Sequence, residues 1–192
     1  MIKINIPDLF AEIVTKTSEA VMPVIKPYLP PLVNKLNYMH GHPVEIITRL
    51  QNKDKTGNVQ LQNERYPLIA LFQDLPERPI TADGSIVEVE LQIIIANLTK
   101  NTYTAPERYQ LNFNPVLKPV YCQLVEQIKK HKATIVNTKD GSWHTAYDRL
   151  YWGTQSDLLG NQVKIFNDYL DAIEMQNVRL RVNTETALCQ QL

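Results

Sequence analysis

The side chains best suited to chemistry in this sequence are few and scattered. His40 and His42 flank Gly41 and precede Pro43. Two imidazoles at that spacing can bind a metal, but a zinc site draws on about four ligands, and neither a cysteine nor a second histidine pair lies nearby. A plain turn over His40 to Pro43 is the better reading. His144 follows Trp143 and stands four residues before Asp148, an order that suits a base and its orienting acid. No local motif supplies a nucleophile for that base to activate.

The acids Asp74, Asp83, Glu88 and Glu90 flank or lie on strand-like segments, as the carboxylates of a metal-dependent nuclease would. Such sites usually add a lysine to stabilise charge at the phosphate, and the stretch from Glu88 to Gln92 has none. Glu88 and Glu90 share one face of a strand whose other face is apolar, which fits a solvated or subunit-facing sheet surface. The glycines at 41, 57, 84, 141, 153 and 160 stand alone, so no glycine-rich phosphate loop is present. Cys122 and Cys189 form no metal or redox motif. Cys122, among apolar positions of a helix, reads as a small buried hydrophobe. Lys129 to Lys132 reads as a helix C-terminus, and Tyr147, Tyr151 and Trp152 as core or interface aromatics rather than a base-stacking platform. The expectation is no catalytic residue, no cofactor and no metal.

The elements that would carry these residues follow from periodicity. Leu9, Phe10, Ile13, Val14 and Val21 form one stripe of a helix over Pro7 to Ala20. Val44 to Gln51 is β-branched and predicts a strand. A connection over Asn52 to Gly57 would return through a second strand at Asn58 to Gln62. Tyr66-Pro67 introduces the apolar strand Leu68 to Phe72, and Asp83-Gly84 marks a turn. Ile86 to Asn97 predicts the longest strand, with Val87, Val89, Leu91 and Ile93 inward and Ile93 to Ile95 covered on both faces. Leu98 to Phe113 reads as a polar loop. Asn114 caps a helix begun by Pro115, with Val116, Val120, Leu124 and Ile128 on its buried face. Thr134 to Val136 and Tyr147 to Trp152 predict short strands around a turn at Asp140-Gly141, and Ala172 to Val182 a closing strand. The fold class is α+β, a mainly antiparallel sheet packed by an N-terminal helix and a central amphipathic helix. One domain over residues 1–192 is expected, with a proline-rich arm at 21–43 and an insertion at 137–166.

Composition narrows the function classes. The chain has 192 residues, 44% of them hydrophobic, and its 20 basic and 20 acidic residues cancel. A dedicated nucleic-acid binder needs a basic field to collect phosphates. No stretch approaches the roughly 18 apolar residues needed to span a bilayer, and Met1 to Asp8 lacks the pattern of a signal peptide. Synthesis in a reducing cytoplasm is the expectation.

The segment from Val21 to Leu36 stands out. Pro23, Pro27, Pro30 and Pro31 punctuate a run carrying Val24, Ile25, Tyr28, Leu29, Leu32 and Val33. Proline removes amide donors and disfavours helix before it, so a broken helix or an extended arm is expected. Packed on its own domain it would be a lid. Packed on a neighbour it would be a clasp, and those six apolar residues are the expected interface.

The order of these elements resembles that of phage tail-terminator and related neck proteins: Pro7 to Ala20, Val44 to Gln62, Tyr66 to Phe72, Ile86 to Asn97, Asn114 to Lys132 and Ala172 to Val182. The wording of Tyr66 to Pro76 and Phe113 to Gln127 is also similar to structural proteins of Bacteroidetes-infecting phages of the crAss-like group. The segments Val21 to Leu36 and Asn137 to Phe166 exceed that pattern. The resemblance implies a non-catalytic virion protein of the head–tail junction, forming a closed ring of about six or twelve copies. Its partners would be itself and adjoining portal, connector or tail proteins, with DNA only as channel contents and no membrane. A metal-dependent nuclease or other phage enzyme, and a monomeric protein-binding adaptor, are the alternatives.

Overall fold

A computed structural model describes residues 5–55, 65–136, 143–156, 162–164 and 168–184. Helix α1 (Ile6–Ile25) opens the chain and passes into a 3-10 turn (Lys26–Tyr28). Then come β1 (Asn37–Gly41), α2 (Pro43–Lys55), β2 (Leu68–Phe72), β3 (Glu77–Pro79) and β4 (Ile86–Leu98). A helical rod follows: α3 (Ala105–Arg108), a π-helical run (Tyr109–Leu117) and α4 (Lys118–Lys130), joined without a break in helical dihedrals. The remaining strands are β5 (Thr134–Ile135), β6 (Thr145–Trp152), β7 (Thr154–Ser156), β8 (Gln162–Lys164) and β9 (Leu170–Asn183).

Seven strands form one curled, mostly antiparallel sheet in the order β1-β2-β4-β9-β5, with β3 paired to β4 and β6 to β9; β7 and β8 make a separate hairpin. The α+β expectation holds, with helices packed on the sheet. The sheet's spine is β4 against β9, paired from Ile86↔Asn183 to Leu98↔Leu170. Their register shifts between Leu91 and Ile93, where β9 carries an extra residue and Asn177 adopts φ 53°. Alternation along a strand has period two, so one inserted residue exchanges the faces. Because of this bulge, Ile173 and Met175 before it and Val178, Leu180 and Val182 after it all enter the same core.

That core lies between the sheet and the helices. Phe10 and Ile13 of α1, Val120, Leu124 and Ile128 of α4, and Val87, Val89, Leu91, Ile93 and Ile95 of β4 belong to it. Among the described residues, the other face is covered at one end, where Ile46 and Leu50 of α2 pack with Leu68, Ala70, Ile94, Ala96, Leu170 and Ala172. The doubly apolar run Ile93 to Ile95 is therefore buried on both sides, as its sequence required.

Four expectations need correction. Val44 to Gln51 is helical: Pro43 sits in a first turn, and Ile46, Ile47 and Leu50 recur at helical spacing on the sheet, so tertiary burial overrides the β-branched composition. The returning strand at Asn58 to Gln62 and the turn at Asp140-Gly141 lie outside the described residues. His40 and Gly41 belong to a strand, β1, which pairs in parallel with β2. The loop expected over Leu98 to Phe113 is largely helix. It starts at Thr104, whose amide donates to the Glu107 carboxylate at 2.7 Å and whose hydroxyl donates to it at 2.8 Å, with Pro106 in the first turn. Pro115 lies inside the π-helical run rather than starting a helix.

The arm is the fourth, and only in part: the broken-helix alternative holds, with α1 giving way to the 3-10 turn, while the extended form does not. Helix α1 continues past Pro23, which is exposed along with Glu19, so water can serve the Glu19 carbonyl that proline leaves without a donor. The Lys26 ammonium then donates to the carbonyls of Pro31 and Val33 and to Asn34 Oδ1, curling the chain back. Leu36 donates its amide to Ser18 Oγ at 2.9 Å. Val21, Met22, Ile25, Val33 and Leu36 all enter the main core.

Leu124 is fully buried on the face of α4 that covers the sheet. Leu124→Ala should cost about 2–5 kcal/mol through lost transfer energy and the cavity left behind, read as a lowered midpoint in chemical or thermal unfolding.

Candidate functional site

The structure disperses the groups that chemistry would need together. His40 and His42 are both exposed. His42 Nδ1 accepts from the Val44 amide at 3.3 Å, an N-terminal cap for α2 rather than a ligand position. His144 Nε2 lies 2.7 Å from the Tyr121 hydroxyl, and its ring sits against Trp143 at 4.2 Å. Asp148, the expected orienting acid, forms an ion pair with Lys118 at 3.5 Å.

The acids separate too. Asp83 caps its own turn. Hydrogen bonds from the Thr81 hydroxyl and from the Ser85 amide and hydroxyl hold its carboxyl at about 2. Glu88 and Glu90 stand opposite Arg181 and Arg179 on β9, at 3.8 and 3.3 Å. The neighbouring strand thus supplies the positive charges that the local sequence lacks, and the sheet face is mixed rather than acidic. Asp74 and Glu90 share a polar cleft beside the β9 bulge with Gln92, Gln176 and Asn177. Among the described residues, no three histidine, cysteine or carboxylate side chains converge to hold a metal.

Cys122 is exposed, contrary to expectation. Two residues beyond Val120 on a helix is about 200° around it, so the sulfur faces away from the Val120–Leu124–Ile128 stripe. Cys189 lies outside the described residues. Of the six arm residues, Ile25 and Val33 are buried in the chain's own core, and Leu29 packs partly against it. Val24, Tyr28 and Leu32 remain 60%, 60% and 55% exposed. The arm is anchored like a lid, and only this outer row is open to a partner. The 3-10 turn packs beside the π-helical run, which presents a further exposed leucine, Leu111.

A second apolar feature lies on the opposite face of the sheet. Ile46 and Ile47 of α2, Phe72 of β2 and Leu150, Tyr151 and Trp152 of β6 line a groove of about 390 Å³. Arg149 reaches its rim and pairs with Glu174 at 2.7 Å.

The strongest electrostatic feature is a buried network that sequence reasoning missed. Arg108 and Asp171 are both fully buried and pair at 2.7 Å. Arg108 also donates to the Tyr103 and Lys100 carbonyls and to the Thr99 hydroxyl. Asp171 accepts from the Asn112 amide group at 3.1 Å and from the Tyr151 backbone amide at 3.2 Å. Asn112 in turn accepts from Asn97 at 2.9 Å. The Tyr151 ring lies over the guanidinium at 3.5 Å, which helps hold Tyr151 at φ 53° where β6 departs from its register. These bonds tie β4, the 99–104 connection, the π-helical run, β6 and β9 together. The available signals were a capping box at Thr104 and Glu107, and a lone aspartate inside the apolar run Leu170 to Ile173.

Removing one member of this pair strands the other as an uncompensated buried charge, so Asp171→Asn or Arg108→Met should each cost about 3–5 kcal/mol. Replacing both by apolar residues should cost less than the sum of the two, a difference that a double-mutant cycle in denaturant measures.

Two histidines give a pH dependence. His131 is buried with its Nε2 3.4 Å from Glu12, and burial pulls its pKa below the ordinary 6.5, outweighing the pull of Glu12 in the other direction. Burial, with a smaller contribution from Lys129, does the same to His144. The unfolded chain then binds protons that the folded chain resists. Stability is full above pH ~6.5 and falls as pH drops below it towards the depressed folded values. Urea midpoints should decline from pH 7 to pH 5, and His131→Asn should flatten that slope.

No protein-family model matches the chain, and no curated protein and no solved structure matches it either.

Proposed function

We propose that this chain is a non-catalytic assembly subunit, and specifically a ring-forming component of the head–tail junction of a tailed phage. The observation that carries this reading is the proline-stiffened turn after α1. Its inner side chains are locked into the core, while Val24, Tyr28 and Leu32 stand out into solvent. Exposed apolar side chains on a rigid support lose little entropy when they dock. Helices packed on a mainly antiparallel sheet fit the α+β class that this reading expects, although helix α2 stands where the first strand of its hairpin was expected. In this reading the partners are further copies of the chain in a ring, adjoining portal, connector or tail proteins, and DNA as the contents of the channel. The site of action is the virion.

The arm cannot be tested by excision. Deleting residues 21 to 36 would remove Val21, Met22, Ile25, Val33 and Leu36 from the core, so unfolding is the expected result. Surface substitutions separate the two roles. Tyr28→Asp with Leu32→Glu should leave the melting temperature within a few degrees of the parent. The same pair should abolish the ring seen by native mass measurement and exclude the chain from purified particles. A parent chain that is absent from purified particles would sink the reading.

A further inference from the structure

Strands β1 and β6 lie at opposite edges of the main sheet, and each has one side without a strand partner among the described residues. The Asn37 amide donates to the Pro67 carbonyl at 2.8 Å, and the Gly41 carbonyl accepts from the Gln73 amide at 2.9 Å. The odd-numbered residues of β1 therefore bond to β2, which turns the backbone groups of Tyr38 and His40 outward. The same alternation can be followed across the ladder. Leu68 and Ala70 face β4 opposite Ala96 and Ile94. Ile93 and Ile95 face β9 opposite Met175 and Ile173. Ala172 and Glu174 then face β6 opposite Arg149 and Tyr147. The backbone groups of Ala146 and Asp148 are thereby left pointing away from the sheet. Among the described residues, none of these four amides has a backbone partner. The side chains from Thr145 to Leu150 are exposed, as is that of His40.

Direction and face agree as well. β1 is parallel to β2, and three antiparallel steps lead from β2 through β4 and β9 to β6, so β6 runs opposite to β1. Rotation about an axis along the strands preserves strand direction, so β6 of one copy meets β1 of the next antiparallel. Tyr38 packs on the helix-covered core, and Asp148 reaches Lys118 of α4 on that same face. Met39 belongs to the other face, as does Tyr147, which stands beside Glu174. Setting Tyr38 opposite Asp148 and His40 opposite Ala146 matches faces at every position and satisfies all the outward groups in two hydrogen-bonded pairs. For L-residues the agreement of faces follows from the opposed directions of the two edges, so direction is the observation that makes the pairing open.

We propose that the sheet continues from copy to copy, with β1 of each subunit added to the free edge of β6 of its neighbour. The contact is heterologous, one edge against a different edge, so it repeats from copy to copy and makes a ring where the rotation closes. It rests on the assembly reading above and names the backbone surface that carries it.

Proline tests the edges one at a time, because a strand edge tolerates proline where the lost amide points outward. His40→Pro and Ala146→Pro should each retain the parent's circular dichroism and yet run as monomers in native mass measurement of the full chain. Each keeps one good edge, so an equimolar mixture should give a dimer and nothing larger. If the parent assembles and either variant still forms the parent's oligomer, edge pairing is overturned while the assembly reading stands. A parent that stays monomeric at tens of micromolar overturns both. If proline unfolds the chain, hydrogen exchange on the unaltered protein decides. The amides of Tyr38, His40, Ala146 and Asp148 should slow by about tenfold or more as concentration drives assembly, and unchanged exchange at those four would overturn the proposal.

Discussion

A fully buried arginine has to be surrounded by acceptors, because a guanidinium taken out of water costs several kcal/mol unless its donors are met. Arg108 is met by Asp171, by two carbonyls of the 99–104 connection and by the Thr99 hydroxyl. That requirement fixes where the connection runs, how the helical rod enters, and where β9 begins. Asp171 accepts from Tyr151 and Asn112 as well, so the end of β6 and the π-helical run are placed by the same charge. The Tyr151 ring against the guanidinium then puts Leu150 and Trp152 beside the groove on the far face. One ion pair thus couples the covered side of the sheet to its open side.

The bulge in β9 is the second constraint. Without an inserted residue near Asn177, Val178, Leu180 and Val182 would turn outward and Arg179 and Arg181 would enter the core. With it, the arginines reach the open face and lie beside Glu90 and Glu88. The same rephasing keeps β9 regular on both sides, so it can carry β4 along one edge and both β5 and β6 along the other. The pairing path from β1 to β6 lies wholly before the bulge, and three antiparallel steps along it leave the two free edges running in opposite directions, which makes edge-to-edge continuation geometrically open.

Edges that satisfy no backbone partner within a subunit are usually blunted by short strands, prolines or inward charges. β6 has eight residues and exposed Tyr147 and Leu150, with Asp148 drawn aside by Lys118. The proline-stiffened turn adds a separate apolar row. Both features are surfaces that the proposed assembly would use.

Much of the secondary structure was legible in the sequence because its causes are local or periodic. The stripe of α1, the alternation in β4, the apolar strand β2, the buried face of α4 and the closing strand β9 each follow from spacing alone. The capping box at Thr104 and Glu107 is also a local signal, but the polar composition around it reads as a loop. What only the tertiary structure decided has one physical root: it depends on partners distant in sequence. Val44 to Gln51 is helical because the far face of the sheet needs an apolar cover. The acids Glu88 and Glu90 are neutralised by arginines about ninety residues away in the chain, a pairing that register alone dictates. Half of the arm turns inward because Lys26 and Ser18 capture the returning backbone. Asp171 and Arg108 meet across 63 residues, and no window of sequence joins them. Local pattern fixes most of the elements and their apolar faces, whereas the helical state of Val44 to Gln51, the charge pairing, the bulge position and the free edges exist only once the strands have found their register.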